Sequence, residues 1–182
     1  MYYKKYESEK IYISPISVDD YQIYTKWIND ETLSRGLGNF KNNITEIGEK
    51  EWIENVCKNG EHHYSIIRKE DDVLLGTYGL ELKDAVSKRY HVGGFIGEIN
   101  ERGKGYGTEA LKLITKFAFE VLNAETLFSG IFSFNEASSK SAEKAGYKVA
   151  GRYRNAYFYN GKYYDEICIE ITKEDYLENK KN

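Results

Sequence analysis

The chain has a single proline, a single methionine and only two cysteines among its 182 residues. One proline, Pro15, leaves no room for a proline-rich linker or docking segment. Cys57 and Cys168 lie far apart and in no CxxC spacing, so neither a disulfide framework nor a thiolate metal site is indicated. A reducing cytoplasm is the expected compartment. The three histidines form no ligand set: His62 and His63 are adjacent and point to opposite faces of any strand, and His91 stands alone. No metal is expected. No apolar run approaches membrane-spanning length, and the opening MYYKKYESEK lacks an apolar h-region. A basic excess is also missing. The 26 Lys+Arg against 29 Asp+Glu leave a net charge of −3. That balance argues against nucleic acid as a direct partner and suits a cationic small molecule better.

What is present is an ordinary globular composition, 41% hydrophobic and 30% charged, of a length that predicts one domain over residues 1–182. Tyrosine is unusually frequent, at 17 residues. Such residues suit amphipathic strands and rims, or a pocket lined by phenols. Apolar alternation predicts a first strand at IYISPIS (11–17). Helical spacing of Tyr21, Tyr24, Trp27 and Ile28 follows, then an aperiodic loop over 29–43 that has room for a short helical piece. A second helix is capped by Thr45, with Trp52, Ile53 and Val56 on one face. HYSIIRK and VLLGTYGLEL flank the turn EDD, and YHVGGFIG (90–97) is a further strand. Residues 108–122 carry a 3.6-residue apolar stripe, TLFSGIFSF (126–134) reads as a buried strand, and EASSKSAEKAG (136–146) as a short helix. The chain closes on a hairpin around Asn160-Gly161. Consecutive strands on both sides of the long helix predict α+β architecture: a mixed, mostly antiparallel sheet of about seven strands flanked by helices.

The stretch ERGKGYGTEA (101–110) admits three readings. A P-loop requires GxxxxGK[ST], which this spacing does not give. The dinucleotide fingerprint is matched literally by Gly105, Gly107 and Ala110, and Glu125 lies near the expected offset for the ribose acid. That acid, however, opens the next strand instead of ending it, and antiparallel hairpins flank the motif where a βαβ unit is required. The third reading places Arg102-x-x-Gly105-x-Gly107 between a strand and a long helix. Backbone N–H groups of 103–108 then face one concavity at the positive end of the helix dipole, a diphosphate site.

On this motif the chain resembles the GNAT N-acetyltransferases, and within them the ribosomal-protein (RimJ/RimL-type) and polyamine acetyltransferase branch. RGKGYGTEAL is similar to the family's acetyl-CoA diphosphate loop, and NEASSKSAEKAGY to its following motif. The likeness extends from IYISPISVDD to YFYNGKYYDEICIEIT. It implies acetyl-CoA bound where two parallel strands, YHVGGFIG and TLFSGIFSF, splay apart. The pantetheine arm would pair with the backbone of Phe95, Ile96 and Gly97. Arg102, Gly103, Lys104, Gly105, Tyr106, Gly107 and Thr108 would hold the diphosphate. Asn135 and Ser138 would meet the pantetheine arm or thioester, and Lys144 would lie toward the nucleotide end. An amine attacks the thioester directly, so catalysis is mainly positioning.

Proton handling departs from the family's pattern. Many members carry a tyrosine just before the Glu-Lys pair, suited to protonating the leaving sulfur; this chain has Ala142 there. Ser138 is the substitute the resemblance suggests, with Ser141 its neighbour-position alternative, and Ser138 is read equally as a cofactor ligand only. His91 occupies a position where members often carry Glu, and it titrates near neutrality, so it is the candidate base. It is also read as a half-buried sheet histidine. Gly93 and Gly94 remove bulk beside it. Glu98 and Glu101 read as solvated loop acids. Arg35, Phe40, Tyr157 and Tyr164 are candidate lining residues for the acceptor; Asp30, Glu31, Glu46 and Glu49 are candidate acceptor carboxylates or a solvated helix face. The expected activity is transfer of acetyl to a primary amine, with a protein N-terminus first and a polyamine or other small amine second. A non-catalytic acyl-CoA-binding sensor is the reading of another class. Edge strands and the tyrosine-rich hairpin are compatible with a homodimer.

Overall fold

The computed structural model describes residues 1–39 and 41–181. Within them lie eight strands and six α-helices. In chain order they are β1 (Tyr6–Glu7), β2 (Ile11–Pro15), α1 (Tyr21–Ile28), α2 (Glu31–Leu37), α3 (Glu46–Asn59), β3 (His62–Arg68), β4 (Leu74–Asp84), β5 (Arg89–Ile96), α4 (Tyr106–Glu120), β6 (Thr126–Phe132), α5 (Glu136–Lys144), β7 (Lys148–Tyr159), β8 (Lys162–Thr172) and α6 (Lys173–Asn179). The expected α+β class holds. Strand pairing is mostly antiparallel, with one parallel pair, β5 with β6. The chain divides into two compact units, Met1–Gly79 with Gly94–Ala110, and Leu80–Gly93 with Leu111–Asn182. Strands β4 and β5 contribute residues to both.

In the first unit the strands run in the order β1-β2-β3-β4-β5. Register is fixed by pairs such as Ile13 with Ile66, both fully buried. Tyr12, Ile16, Tyr24, Trp27, Leu33, Ile53, Val56, Ile67 and Leu74 form one apolar cluster under α1, α2 and α3. Thr45 caps α3 by accepting from the Gly48 N–H at 3.1 Å, as its position predicts. Trp52 departs from expectation: it is 39% exposed while Ile53 and Val56 are buried. The helix turns its Ile53 edge to the core, and Trp52 meets the His63 ring edge-on at 5.2 Å. The 29–43 segment, expected as a loop with room for a short helical piece, holds α2. Its turn residues act at the two ends of α2. Asp30 accepts from the Leu33 N–H at 3.0 Å, and Gly38 closes the helix at φ +77°. Phe40 lies outside the described residues.

In the second unit the order is β5-β6-β8-β7. Leu127, Ile131, Ile169 and Ile171 are buried, as are Leu111, Ile114, Phe117 and Ala118 of the α4 stripe. Period-two alternation therefore turns Phe128, Gly130, Glu166, Cys168 and Glu170 to the opposite face of the sheet. The closing hairpin uses positive φ at both Asn160 (+48°) and Gly161 (+75°), the requirement of a type I′ turn. The terminal helix α6, not expected, begins with a reciprocal capping box between Thr172 and Asp175.

Candidate active site

The glycine motif forms the entry to α4 in the first unit. Gly103 and Gly105 have φ of +79° and +91°, and a Cβ at either would meet nothing within 4 Å. The loop thus turns through a backbone conformation that favours glycine and leaves its outer side open. The 15-residue helix α4 starts directly after it and directs the N–H groups of its first turn to that end. The Tyr78 hydroxyl donates to the Gly107 carbonyl at 3.3 Å and tethers the first turn.

The charged groups of this loop are already engaged. The Arg102 guanidinium donates to the Ile96 and Gly97 carbonyls, both at 2.9 Å, so it clamps the loop onto the end of β5. Lys104 pairs with Glu101 at 2.9 Å, and Glu101 also pairs with Arg68 at 3.0 Å. Those cations hold the Glu101 carboxyl below the usual range, Lys104 contributing most. Glu101 is therefore an ion-paired residue, 14% exposed, and not the solvated loop acid expected. Lys10, Arg68, Lys69, Lys104 and Tyr106 line an open cleft of about 540 Å³ beside the loop.

The backbone of β5 is divided by strand alternation. The Gly97 N–H donates to the Leu75 carbonyl of β4 at 2.8 Å. The Ile96 N–H consequently points away from β4. Gly97 itself is demanded by packing, because a Cβ there would fall 2.0 Å from the Trp27 ring.

In the second unit, β5 and β6 pair in parallel at Arg89 with Thr126, Tyr90 with Leu127 and His91 with Phe128, where the ladder ends; β6 continues to Phe132. His91 sits at that last rung. Its ring meets Phe128 edge-on at 5.6 Å and leans over Gly93, where a Cβ would lie 3.3 Å from Cε1. Burial lowers the His91 pKa, with Lys83 adding to the effect and Glu81 and Glu166 opposing it. Two strands away, the Glu166 carboxylate lies across Gly130, with Oε1 1.7 Å from where a Cβ would be. Asn135 caps α5 by accepting from the Ser138 N–H at 3.2 Å. The Ser138 hydroxyl makes no hydrogen bond among the described residues, and Ala142 is 2% exposed. Lys144 is exposed at the end of α5. Phe132 stacks on Tyr157 at 4.0 Å, and Phe134 meets Tyr164 at 4.9 Å, so two of the expected lining residues belong to one aromatic wall.

The family model for the acetyltransferase (GNAT) domain matches residues 10–148. The chain belongs to the GNAT family. It is 25% identical over 169 residues to the uncharacterized SPbeta prophage-derived N-acetyltransferase YokL of Bacillus subtilis, covering 92% of this chain and 93% of that one. It is 34% identical over 76 residues to the spermidine N(1)-acetyltransferase of Escherichia coli, covering 42% of this chain and 41% of that one. The fold is similar to the crystal structure of spermidine N-acetyltransferase from Vibrio cholerae in complex with CoA and spermine. That likeness has a TM-score of 0.83 at 16% identity, over 92% of this chain and 98% of that one.

This GNAT chain is an acetyl-CoA-dependent acetyltransferase. Its own residues suit the co-substrate: the open glycine turn at a helix N-terminus is a cradle into which a diphosphate fits and a side chain would intrude. Three features of the GNAT chain were not legible in the sequence. Arg102 spends its guanidinium on strand carbonyls. Gly130, an unremarked glycine in a strand, makes space for the Glu166 carboxylate. Glu49, read as a candidate acceptor carboxylate or part of a solvated face, is 5% exposed.

Proposed function

We propose that this acetyltransferase passes acetyl from acetyl-CoA directly to a primary amine, with His91 as the base. The position of His91 carries the reading. It stands at the last rung of the parallel ladder, beside the side-chain-free surface of Gly93, with a pKa that burial lowers. A lowered pKa keeps the imidazole neutral at pH 7 and able to accept a proton. The amine lone pair attacks the acyl carbon, and the amine proton passes to His91 directly or through one water. The C–S bond breaks, and the sulfur takes a proton from the Ser138 hydroxyl, which solvent then reprotonates.

In this reading the N–H groups of the 103–108 loop and the N-terminus of α4 hold the diphosphate, while Arg102 fixes the loop. The Ile96 N–H, directed away from β4, is the donor left for the pantetheine arm or thioester carbonyl. The family resemblance adds Asn135 and Lys144 as further candidate co-substrate residues. The acceptor is a small cationic amine in preference to a protein N-terminus. The partly exposed acids on the His91 face support this, as do the spermidine-acetylating relatives. Release of CoA thiol across a panel of polyamines, monoamines, aminoglycosides and peptide N-termini tests it. Small cationic amines are expected to give the highest kcat/KM. A clear preference for peptide N-termini would restore the other acceptor class, and no release with any amine would refute the transferase reading.

A further inference from the structure

On the second unit's open face, two side chains lie over two glycines. His91 leans over Gly93 of β5, and Glu166 of β8 leans over Gly130 of β6. Extending the observed β5–β6 register past His91 and Phe128 would set Gly93 level with Gly130. Only glycine at residue 130 permits this carboxylate position, because a Cβ would fall 1.7 Å from Oε1. The result is a shallow floor with an imidazole on one side and a carboxylate on the other.

Three cations near this face are engaged elsewhere. Glu81 pairs with Lys83. The Arg89 guanidinium lies 4.0 Å over the Phe128 ring. Lys148, opposite Glu170 in register, pairs with Asp175, which leaves Glu170, like Glu166, without a hydrogen bond or ion pair among the described residues. Glu166 is only half-exposed, yet it makes no hydrogen bond or ion pair among the described residues. A partly desolvated carboxylate without a counter-charge favours a cation.

That cation is not the reacting nitrogen. A carboxylate beside the attacking amine would stabilise its ammonium form and take away the lone pair that His91 has to free. We infer that Glu166 is the residue by which this enzyme selects acceptors bearing a second positive charge: it receives the distal ammonium of a diamine whose other nitrogen is presented to His91. The inference rests on the transferase reading with His91 as base.

Putrescine and butylamine share a carbon-chain length and differ in the second amine, so their kcat/KM ratio reads the distal charge alone. Wild type is expected to favour putrescine by roughly tenfold or more, the scale of one charge-assisted hydrogen bond. Glu166→Gln should bring the ratio close to one, mainly through KM for putrescine. Gly130→Ala should lower the ratio as well, by displacing the carboxylate. Calorimetric titration with acetyl-CoA serves as the folding check for both variants. An unchanged ratio in Glu166→Gln with acetyl-CoA binding intact would overturn the assignment and leave the transferase reading standing. Wild type that binds acetyl-CoA but transfers to neither amine would overturn the assignment, and absence of CoA thiol release with every amine of the panel would overturn the transferase reading as well.

Discussion

Replacing Glu49 with glutamine should stabilise the protein, and the gain should grow with pH. Glu49 lies in the first turn of α3, is 5% exposed, and its Oε1 is buried without a hydrogen-bond partner among the described residues. Burial pushes its carboxyl up to about 7 from an ordinary 4.5. Below the unfolded value both states are protonated and the position is neutral in effect. As pH rises from 4.5 toward 7, the unfolded chain releases this proton while the folded chain keeps it. Stability falls through that window, and above it the full cost is present. A shift from 4.5 to about 7, at 1.36 kcal/mol per unit, corresponds to about 3 kcal/mol at pH 8. Glutamine keeps the shape and removes the charge, so Glu49→Gln should gain about 1 kcal/mol at pH 5 and about 3 kcal/mol at pH 8. For a chain of this size the latter is a rise of roughly 6–12 °C in Tm. Urea unfolding of both proteins at the two pH values measures the difference. A loss of stability on substitution, or a gain equal at both pH values, would refute the reasoning.

Gly105→Glu should abolish acetyl-CoA binding by calorimetry, since residue 105 sits at φ +91° and a carboxylate there would enter the open side of the loop; unchanged affinity would remove the loop from the co-substrate site. His91→Gln should lower kcat on the order of a hundredfold and erase the acidic limb of the kcat/KM profile, which in wild type falls below the ordinary histidine range because burial lowers this pKa. A retained limb would assign it to another group. Ser138→Ala should lower kcat on the order of a hundredfold with little change in acetyl-CoA affinity, and equal losses in both would make Ser138 a binding residue alone.

The fold was legible because its signals are local and periodic. The α4 stripe, the Thr45 cap and the Asn160-Gly161 turn each act within a few residues, and each is found where its pattern places it. The strand β1 and helix α6 were missed because they are short, and neither has a sustained apolar period. Helix α2 was legible only as a short helical piece within a loop, because Asp30 and Gly38 mark loops in a sequence and helix ends in a structure. The co-substrate loop was legible because a strand, glycines and a helix occur in order along the chain. Glu166 was not, because what gives it meaning is Gly130, brought beneath it by the β6–β8 pairing of Phe132 with Glu166 and Gly130 with Cys168. Burial of Glu49 was hidden for a related reason: a three-helix layer decides which helix edge faces inward, and periodicity there named Trp52 alongside Ile53.

Supplying acetyl-CoA labelled in the acetyl group, with putrescine as acceptor, tests acetyl transfer to an amine most directly. Mass spectrometry of the quenched reaction follows the label. The expected result is label in the amide of N-acetylputrescine, one CoA thiol released per amide formed, and no labelled protein at any time. Label that stays on the thioester, or that accumulates on the protein, would contradict direct transfer to an amine.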